Sequence, residues 1–210
     1  GYKGAMYPWE SDDKGEESTP IFALTGQFEH HITADKAIAF WNYYCMSQDK
    51  EWLMKEGYEV LKKTAEFWVS RAVKNPDGSY SINYVIAADE YAEGVDDNAF
   101  TNASAKKALE YATLAAKICN ENAPEIWMQI SDKLVINKMK DGITQEYKGY
   151  NGQTIKQADV NLLAYPLGII TDKKQIEKDL SYYSSKVDQK KGPAMTYSIF
   201  AIQYARLGDA

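Results

Sequence analysis

From Thr33 onward, apolar residues recur at helical spacing. Ala37, Ile38, Phe40, Trp41, Tyr44 and Cys45 share one stripe, which predicts a helix with Thr33 as its N-cap. A second helix is predicted from about Lys50 to Val73, its apolar positions including Trp52, Leu53, Val60, Leu61, Ala65, Phe67 and Trp68. Asn75-Pro76-Asp77-Gly78 then forms a turn signal. Ser79 to Ile86 alternates and is the one convincing β segment. An acidic loop, Ala87 to Asn98, leads into an Ala-rich helix over Thr101 to Asn120. Ala123-Pro124 opens another, carrying Ile126, Trp127, Ile130, Leu134 and Val135. After a loop at Lys148 to Gly152, shorter helices are predicted over Lys156 to Leu163, Lys173 to Ser184 and Ala194 to Leu207. Gly4 to Ser11, with its Pro, and the acidic, turn-like stretch from Asp12 to Pro20 read as ordered loop.

Helix follows helix, without the strand–helix alternation that builds a parallel sheet. No repeat of solenoid period is visible. The pattern predicts an all-α chain, either an α/α toroid or an irregular bundle, and periodicity alone does not choose between them.

Composition narrows the function classes. Five Trp, sixteen Tyr and six Phe in 210 residues exclude a disordered chain. No apolar run approaches the roughly 18 residues of a membrane span. The net charge of −6 and the absence of a basic stripe argue against a nucleic-acid partner. Two cysteines, Cys45 and Cys119, form no disulfide framework, and their apolar context predicts two buried thiols. The chain opens at Gly1-Tyr2-Lys3-Gly4 without a signal-peptide pattern, and is expected to be a piece of something longer. An acidic, Tyr-rich composition suits a periplasmic or secreted protein, and a cytoplasmic one as well.

The densest chemistry lies in Asp89-Glu90-Tyr91-Ala92-Glu93-Gly94-Val95-Asp96-Asp97-Asn98, with five carboxylates in ten residues. Three readings stand side by side: a solvated acidic loop, a calcium loop, and an acid/base site. The calcium reading lacks the EF-hand ligand spacing and closing Glu. The acid/base reading needs a carboxyl desolvated beside Tyr91, which raises its proton affinity. His30 and His31 follow Glu29, but the i, i+4 spacing of helical zinc ligands is missing, so no metal is expected. Nucleophile-elbow, Walker and dinucleotide motifs are absent, and no cofactor is expected. Lys156-Gln157 after a Gly-containing loop reads as helix-start surface or as a pair of donors for sugar hydroxyls, which the many Tyr and Trp rings could support by stacking.

Several segments together resemble glycoside hydrolase family 65. Gly1 to Ser11 (GYKGAMYPWES) and Glu29-His30-His31-Ile32-Thr33-Ala34-Asp35 resemble two of its signatures. Glu66 to Arg71 resembles its ARFWxSR stretch, and Asp89-Glu90-Tyr91 with Val95 to Asn102 its DEYHxxVxNNxYTN segment. Ile155 to Val160 matches KQADV, and Gly192 to Ser198 resembles GPAMTxS. The last is most like the acid-trehalase-like and glucosylgalactosyl-hydroxylysine glucosidase branch.

The resemblance implies part of an (α/α)6 catalytic barrel, with residues 1–210 as a single-domain fragment of it and one short hairpin or strand near 79–86. It implies an inverting hydrolase of α-linked glucosides, a carbohydrate substrate and no cofactor. Disaccharide phosphorylases of maltose, trehalose or kojibiose type are the alternative within the family. A non-catalytic, carbohydrate-binding helical scaffold is the alternative outside it. By the resemblance Glu90 is the general acid, Lys156 and Gln157 contact glucose, Trp9, Glu29 and His31 line the pocket, and Asp89 and Tyr91, beside the acid, are expected among the substrate-binding residues. Ala92 stands where the family usually has His, which bears on aglycone choice. The family's upstream Trp-Asp motif and downstream base Glu are expected outside the chain, so the chain alone is expected to be inactive. Helix faces left open by missing neighbours are expected to promote self-association.

Overall fold

The computed structural model describes residues 1–192 and 194–208, the side chain of Ala194 excepted. The elements are α1 (Thr25–Phe28), α2 (His31–Ser47), α3 (Lys50–Trp52), α4 (Tyr58–Arg71), β1 (Val73–Lys74), β2 (Tyr80–Ser81), α5 (Ala99–Ile118), α6 (Glu125–Lys133), α7 (Lys173–Ser184) and α8 (Ala194–Leu207). A π-helical turn, Leu53–Gly57, joins α3 to α4, and a 3₁₀ turn covers Val160–Leu163. The described residues are all-α with one two-stranded hairpin. None of the described helices is long and apolar enough to cross a membrane. Two compact units form: residues 1–82 with 104–135, and residues 83–103 with 136–210.

The first unit is a helical layer. Ala34 and Ala37 of α2 and Leu61, Ala65, Phe67 and Trp68 of α4 are buried, small on one helix and large on the other, and α2 packs on α4. Further along α5, Ala108, Leu109, Ala112, Ala115 and Ala116 are buried at i, i+1, i+4, i+7 and i+8, one stripe of a 3.6-residue period. Asp49 caps α3 by accepting from the Trp52 N–H at 2.9 Å. Gln48, in the left-handed region at φ 54°, ends α2. The Asn75–Gly78 turn closes the hairpin, with Val73 opposite Ser81 and Lys74 opposite Tyr80. The N-terminal loop docks on α4 through Ala5 N–H to the Lys63 carbonyl (3.0 Å) and Lys3 N–H to Ser70 Oγ (2.9 Å).

The second unit is loop-rich. Isolated bridges Val85–Val95, Lys138–Thr144 and Ile155–Val187 hold its long connections. Helices α7 and α8 pack together and against the 3₁₀ turn. Buried Asp179 of α7 accepts both the N–H and the hydroxyl of Thr144 at 2.8 Å, and the Tyr183 hydroxyl donates to the Thr144 carbonyl at 2.7 Å. These bonds anchor the 137–147 loop to α7.

Four local expectations are corrected. The strand over Ser79–Ile86 shrinks to Tyr80–Ser81, because Tyr84 turns left-handed at φ 55° and breaks the extension. The helix over Lys156–Leu163 is only the 3₁₀ turn from Val160; Lys156 and Gln157 give their N–H groups to a side chain instead. Thr33 lies inside α2, where its buried hydroxyl accepts the Tyr7 N–H at 3.0 Å. Cys45 is exposed and Cys119 half-buried, so neither is the enclosed thiol that the apolar context suggested.

Candidate functional site

In the second unit, the bridge between Val85 and Val95 closes a loop whose tip carries Asp89, Glu90 and Tyr91. The Ala87 N–H donates to the Ala92 carbonyl at 3.1 Å and the Ala92 N–H to the Asp89 carbonyl at 2.8 Å. This tight turn buries Asp89 and leaves Glu90 half-buried at its rim.

Asp89 is the bracket of the site. Its Oδ1 accepts the N–H of Lys156 at 2.7 Å and those of Gln157 and Tyr91 at 3.3 Å. One carboxylate thus fastens the Lys156-Gln157 segment to the loop bearing Glu90. The Lys156 ammonium pairs with Glu90 Oε2. Gln157 Oε1 accepts the Glu90 N–H at 3.4 Å. On the other side, Ile155 N–H donates to the Lys186 carbonyl (3.0 Å) and Asp188 N–H to the Ile155 carbonyl (2.9 Å), pinning the strand-like approach to Lys156. Tyr91 points outward, and its hydroxyl donates to Asp188 Oδ2 at 2.9 Å. It does not form the aromatic sleeve that the acid/base reading asked of it; a lysine is the principal neighbour of Glu90.

A hollow of about 390 Å³ adjoins the loop, lined by Ala88, Gln157, Ala158, Leu162, Thr196 and Ile199 among others. Its wall is mostly apolar, with Gln157 supplying an amide at the edge. Pro193, within the Gly192–Ser198 motif, lies outside the described residues.

Behind Asp89 sits a layer that the sequence did not disclose. Buried Asn98 accepts from the Thr101 N–H (2.8 Å) and hydroxyl (2.7 Å), capping α5, and donates to Asp159 Oδ2 at 2.9 Å and the Glu146 carbonyl at 3.1 Å. Asp159 also accepts the Phe100 N–H at 3.3 Å, so a carboxylate sits on the positive end of α5. Glu146 is enclosed beside Asp89. Its burial first, then the charges of Asp159 and Asp89, hold its carboxyl well above the usual carboxylate range. Only spatial proximity reveals Glu146; in the sequence it is one acid in a polar stretch.

The first unit gathers Trp9, Glu29 and His31. His31 Nδ1 lies 2.8 Å from Asp35 Oδ2 and its Nε2 3.0 Å from Glu29 Oε1. The Trp9 ring meets the His31 ring edge-on at 5.8 Å. Trp9 itself is held by its N–H to Glu17 Oε2 at 2.6 Å. Burial alone would lower the proton affinity of His31, but the bonds to Asp35 and Glu29 outweigh it and raise its pKa to about 9. His30 is the reverse. Burial, then the Arg71 charge, lowers it to about 4; Arg71 Nε donates to its Nδ1 at 3.1 Å and its Nε2 faces the Gln27 carbonyl at 2.9 Å. The two histidines are therefore engaged in separate structural contacts. Among the described residues no group of three or more His, Cys, Asp or Glu is placed to hold a metal ion.

The predicted site residues thus fall into two sets, Asp89, Glu90, Tyr91, Lys156 and Gln157 in one unit and Trp9, Glu29 and His31 in the other.

Residues 1–153 match the glycosyl hydrolase family 65 central catalytic domain. A kojibiose hydrolase of Flavobacterium johnsoniae is 55% identical over 210 residues, covering 100% of this chain and 31% of that protein. A protein-glucosylgalactosylhydroxylysine glucosidase of Dictyostelium discoideum is 45% identical over 213 residues, 98% of this chain and 30% of that protein. A solved structure from the human microbiome, provisionally described as a kojibiose phosphorylase, superposes with a TM-score of 0.82 at 19% identity, covering 98% of this chain and 34% of its own. That likeness shows the fold, part of an (α/α)6 barrel. The chain spans about a third of the length of the curated relatives it matches.

Proposed function

Since the chain belongs to glycoside hydrolase family 65, we propose that it forms the acid side of an inverting α-glucosidase site, with Glu90 as general acid. The observation that carries this reading is the arrangement around Asp89. One buried carboxylate fixes the backbone of Lys156 and Gln157 so that the lysine meets the one half-buried carboxyl of the loop tip.

The chemistry follows from that pairing. A glucosyl unit entering beside Lys156 offers hydroxyl acceptors to its ammonium and to the Gln157 amide. Those hydroxyls replace Glu90 as partners of Lys156, and Glu90, released from the ammonium, takes a proton from solvent and turns its O–H to the glycosidic oxygen. Protonation of that oxygen lets the aglycone leave. A second carboxylate, about 6.5–9.5 Å from the acid in inverting enzymes, takes a proton from the water that attacks the opposite face. By the family pattern that base lies downstream of Ser198, and the turnover belongs to the complete protein. Exposed Tyr91 and half-buried Asp188, hydrogen-bonded to each other at the rim, are proposed to meet the aglycone. Trp9, Glu29 and His31 are proposed as pocket residues on the strength of the family signatures alone.

Hydrolysis, rather than phosphorolysis, is the branch we assign. Its support is the 55% and 45% identity to a hydrolase and a glucosidase. The test is glucose release by the complete protein from kojibiose and other α-linked glucose disaccharides, with and without inorganic phosphate. Phosphate-independent release is expected, falling on the order of 10²–10⁴-fold in Glu90→Gln. A strict need for phosphate would move the protein to the phosphorylases. Unchanged turnover by Glu90→Gln would remove Glu90 from the acid role.

A further inference from the structure

Glu146 is fully buried, and among the described residues no N–H or hydroxyl donates to either of its carboxyl oxygens. Its immediate neighbour is another carboxyl, that of Asp89, whose charge and proximity act on it. Two carboxylates cannot bond to each other without a proton between them. Asp89 is the natural acceptor, since it already takes three main-chain N–H groups, all of which favour its anionic form. Glu146 has no such donors. The titratable groups facing it are the carboxyls of Asp89 and Asp159 and the phenols of Tyr147, Tyr150 and Tyr183. The charges of Asp159 and Asp89 favour a neutral Glu146, and the Tyr150 and Tyr183 hydroxyls are turned away to the Gln153 and Thr144 carbonyls.

We propose that Glu146 is a positioning residue that stays protonated and donates its carboxyl proton to Asp89, completing the shell that locks Asp89 onto the backbone of Lys156 and Gln157. This rests on the reading of Glu90 as general acid and adds a residue to it. The chain of contacts runs Glu146 to Asp89, Asp89 to the Lys156 N–H, and the Lys156 side chain to Glu90. No contact joins Glu146 to a sugar, so its effect is transmitted. A fixed dipole behind Asp89 keeps the carboxylate oriented toward the N–H groups of Lys156, Gln157 and Tyr91. If Glu146 were ionised, two buried like charges would push Asp89 off the N–H groups it organises.

The experiment compares Glu146→Gln, Glu146→Leu and Glu90→Gln in the complete protein, using an α-linked glucose disaccharide and α-glucosyl fluoride, whose leaving group needs little proton donation. The Gln variant keeps a neutral donor of the same shape, so its kcat on the disaccharide is expected within about threefold of the parent. Leu keeps volume but removes the donor. Its kcat on the disaccharide is expected to fall on the order of 10²-fold, with the fluoride much less affected. Equal losses on both substrates, or a Gln variant as impaired as the Leu variant, would overturn the proposal. Infrared spectroscopy supplies a readout independent of turnover. The carbonyl band of a buried carboxylic acid is expected at neutral pH in the parent and in Glu90→Gln, and absent in Glu146→Gln. A band unchanged in Glu146→Gln would overturn the proposal even if the Leu variant does not fold. If Glu90→Gln retains full turnover while the band behaves as expected, it is the acid assignment that falls and not the state of Glu146.

Discussion

His31 Nε2 lies 3.0 Å from Glu29 Oε1, and the opposite ring nitrogen lies 2.8 Å from Asp35, so one buried imidazolium serves two carboxylates. The residue before it, His30, is neutral at the same pH, because burial, and then the Arg71 charge, disfavour its charge. These neighbours make stability depend on pH from both sides. The pKa of His31 is about 9 against 6.5 unfolded, so its contribution is fully present below 6.5 and lost as pH rises through 9. The difference corresponds to a few kcal/mol at most, on the order of 1.4 per pKa unit. His30, lowered to about 4, costs stability as pH falls from 6.5 to 4, where only the unfolded chain takes the proton. Melting temperature measured from pH 4 to 10 should therefore peak near 6.5, as far as these two groups govern it. His31→Gln should flatten the alkaline limb and His30→Gln the acid one. An alkaline limb unchanged in His31→Gln would show that the imidazolium between Glu29 and Asp35 carries no linkage.

Asp89→Ala is expected to damage folding and turnover together. It frees three main-chain N–H groups at Lys156, Gln157 and Tyr91, each costing about 1–3 kcal/mol where water does not reach it. It also loosens Lys156 against Glu90, so kcat should fall on the order of 10²-fold. Asp89→Asn keeps an acceptor oxygen and should retain more of the fold than Ala. Urea unfolding alongside initial rates separates the two effects. A folded Asp89→Ala protein with parental kcat would mean that Lys156 is placed by something else.

The sequence made the helices of the first unit legible because a 3.6-residue stripe survives wherever one face is packed, as in α4 and α5. It named the acid loop and the Lys156-Gln157 pair because those residues occur in family-specific strings. It misjudged the structure at Lys156, where local pattern suggests a helix start but Asp89, 67 residues away, claims the N–H groups. Tyr84 is the same kind of failure: its left-handed backbone is set by the Asp96 carboxylate, which accepts its N–H at 2.9 Å, and not by strand propensity. Glu146 was invisible for a deeper reason. A buried acid and a solvated acid have the same one-letter code, and only the fold shows which side chains enclose it.

Gly4→Ala tests how the N-terminal segment docks. Gly4 has φ +76°, and a Cβ there would run into the Lys63 carbonyl and the Phe67 amide nitrogen, with Glu66 Cβ at 2.8 Å. Left-handed strain alone costs a non-glycine residue about 1–3 kcal/mol. The overlap is with helix backbone, which cannot step aside as a flexible side chain would. The segment should therefore lift off α4, breaking the Ala5 N–H to Lys63 carbonyl bond. A lowered melting temperature and faster proteolysis before residue 10 are expected. A variant as stable and protease-resistant as the parent would show that the segment is not seated on α4 in solution.

Asn98→Ala is expected to unfasten the start of α5 from the layer behind the acid loop. Losing an N-cap costs about 0.5–2 kcal/mol. Here the loss goes further, because the Asn98 amide also donates to Asp159 and to the Glu146 carbonyl, in a place with no solvent access. Asn98→Asp preserves the acceptor for the Thr101 N–H but sets a second carboxylate against Asp159, so it should be no better than Ala despite keeping the cap. Amide hydrogen exchange distinguishes the contributions. In Asn98→Ala, protection at Thr101 should drop along with that at Ala99, whose N–H donates to the Glu146 carbonyl at 2.7 Å. In Asn98→Asp, protection at Thr101 should persist while overall stability falls. Full protection at both positions in Asn98→Ala would mean that α5 begins correctly without its cap, and that the link from α5 to Glu146 does not depend on this side chain.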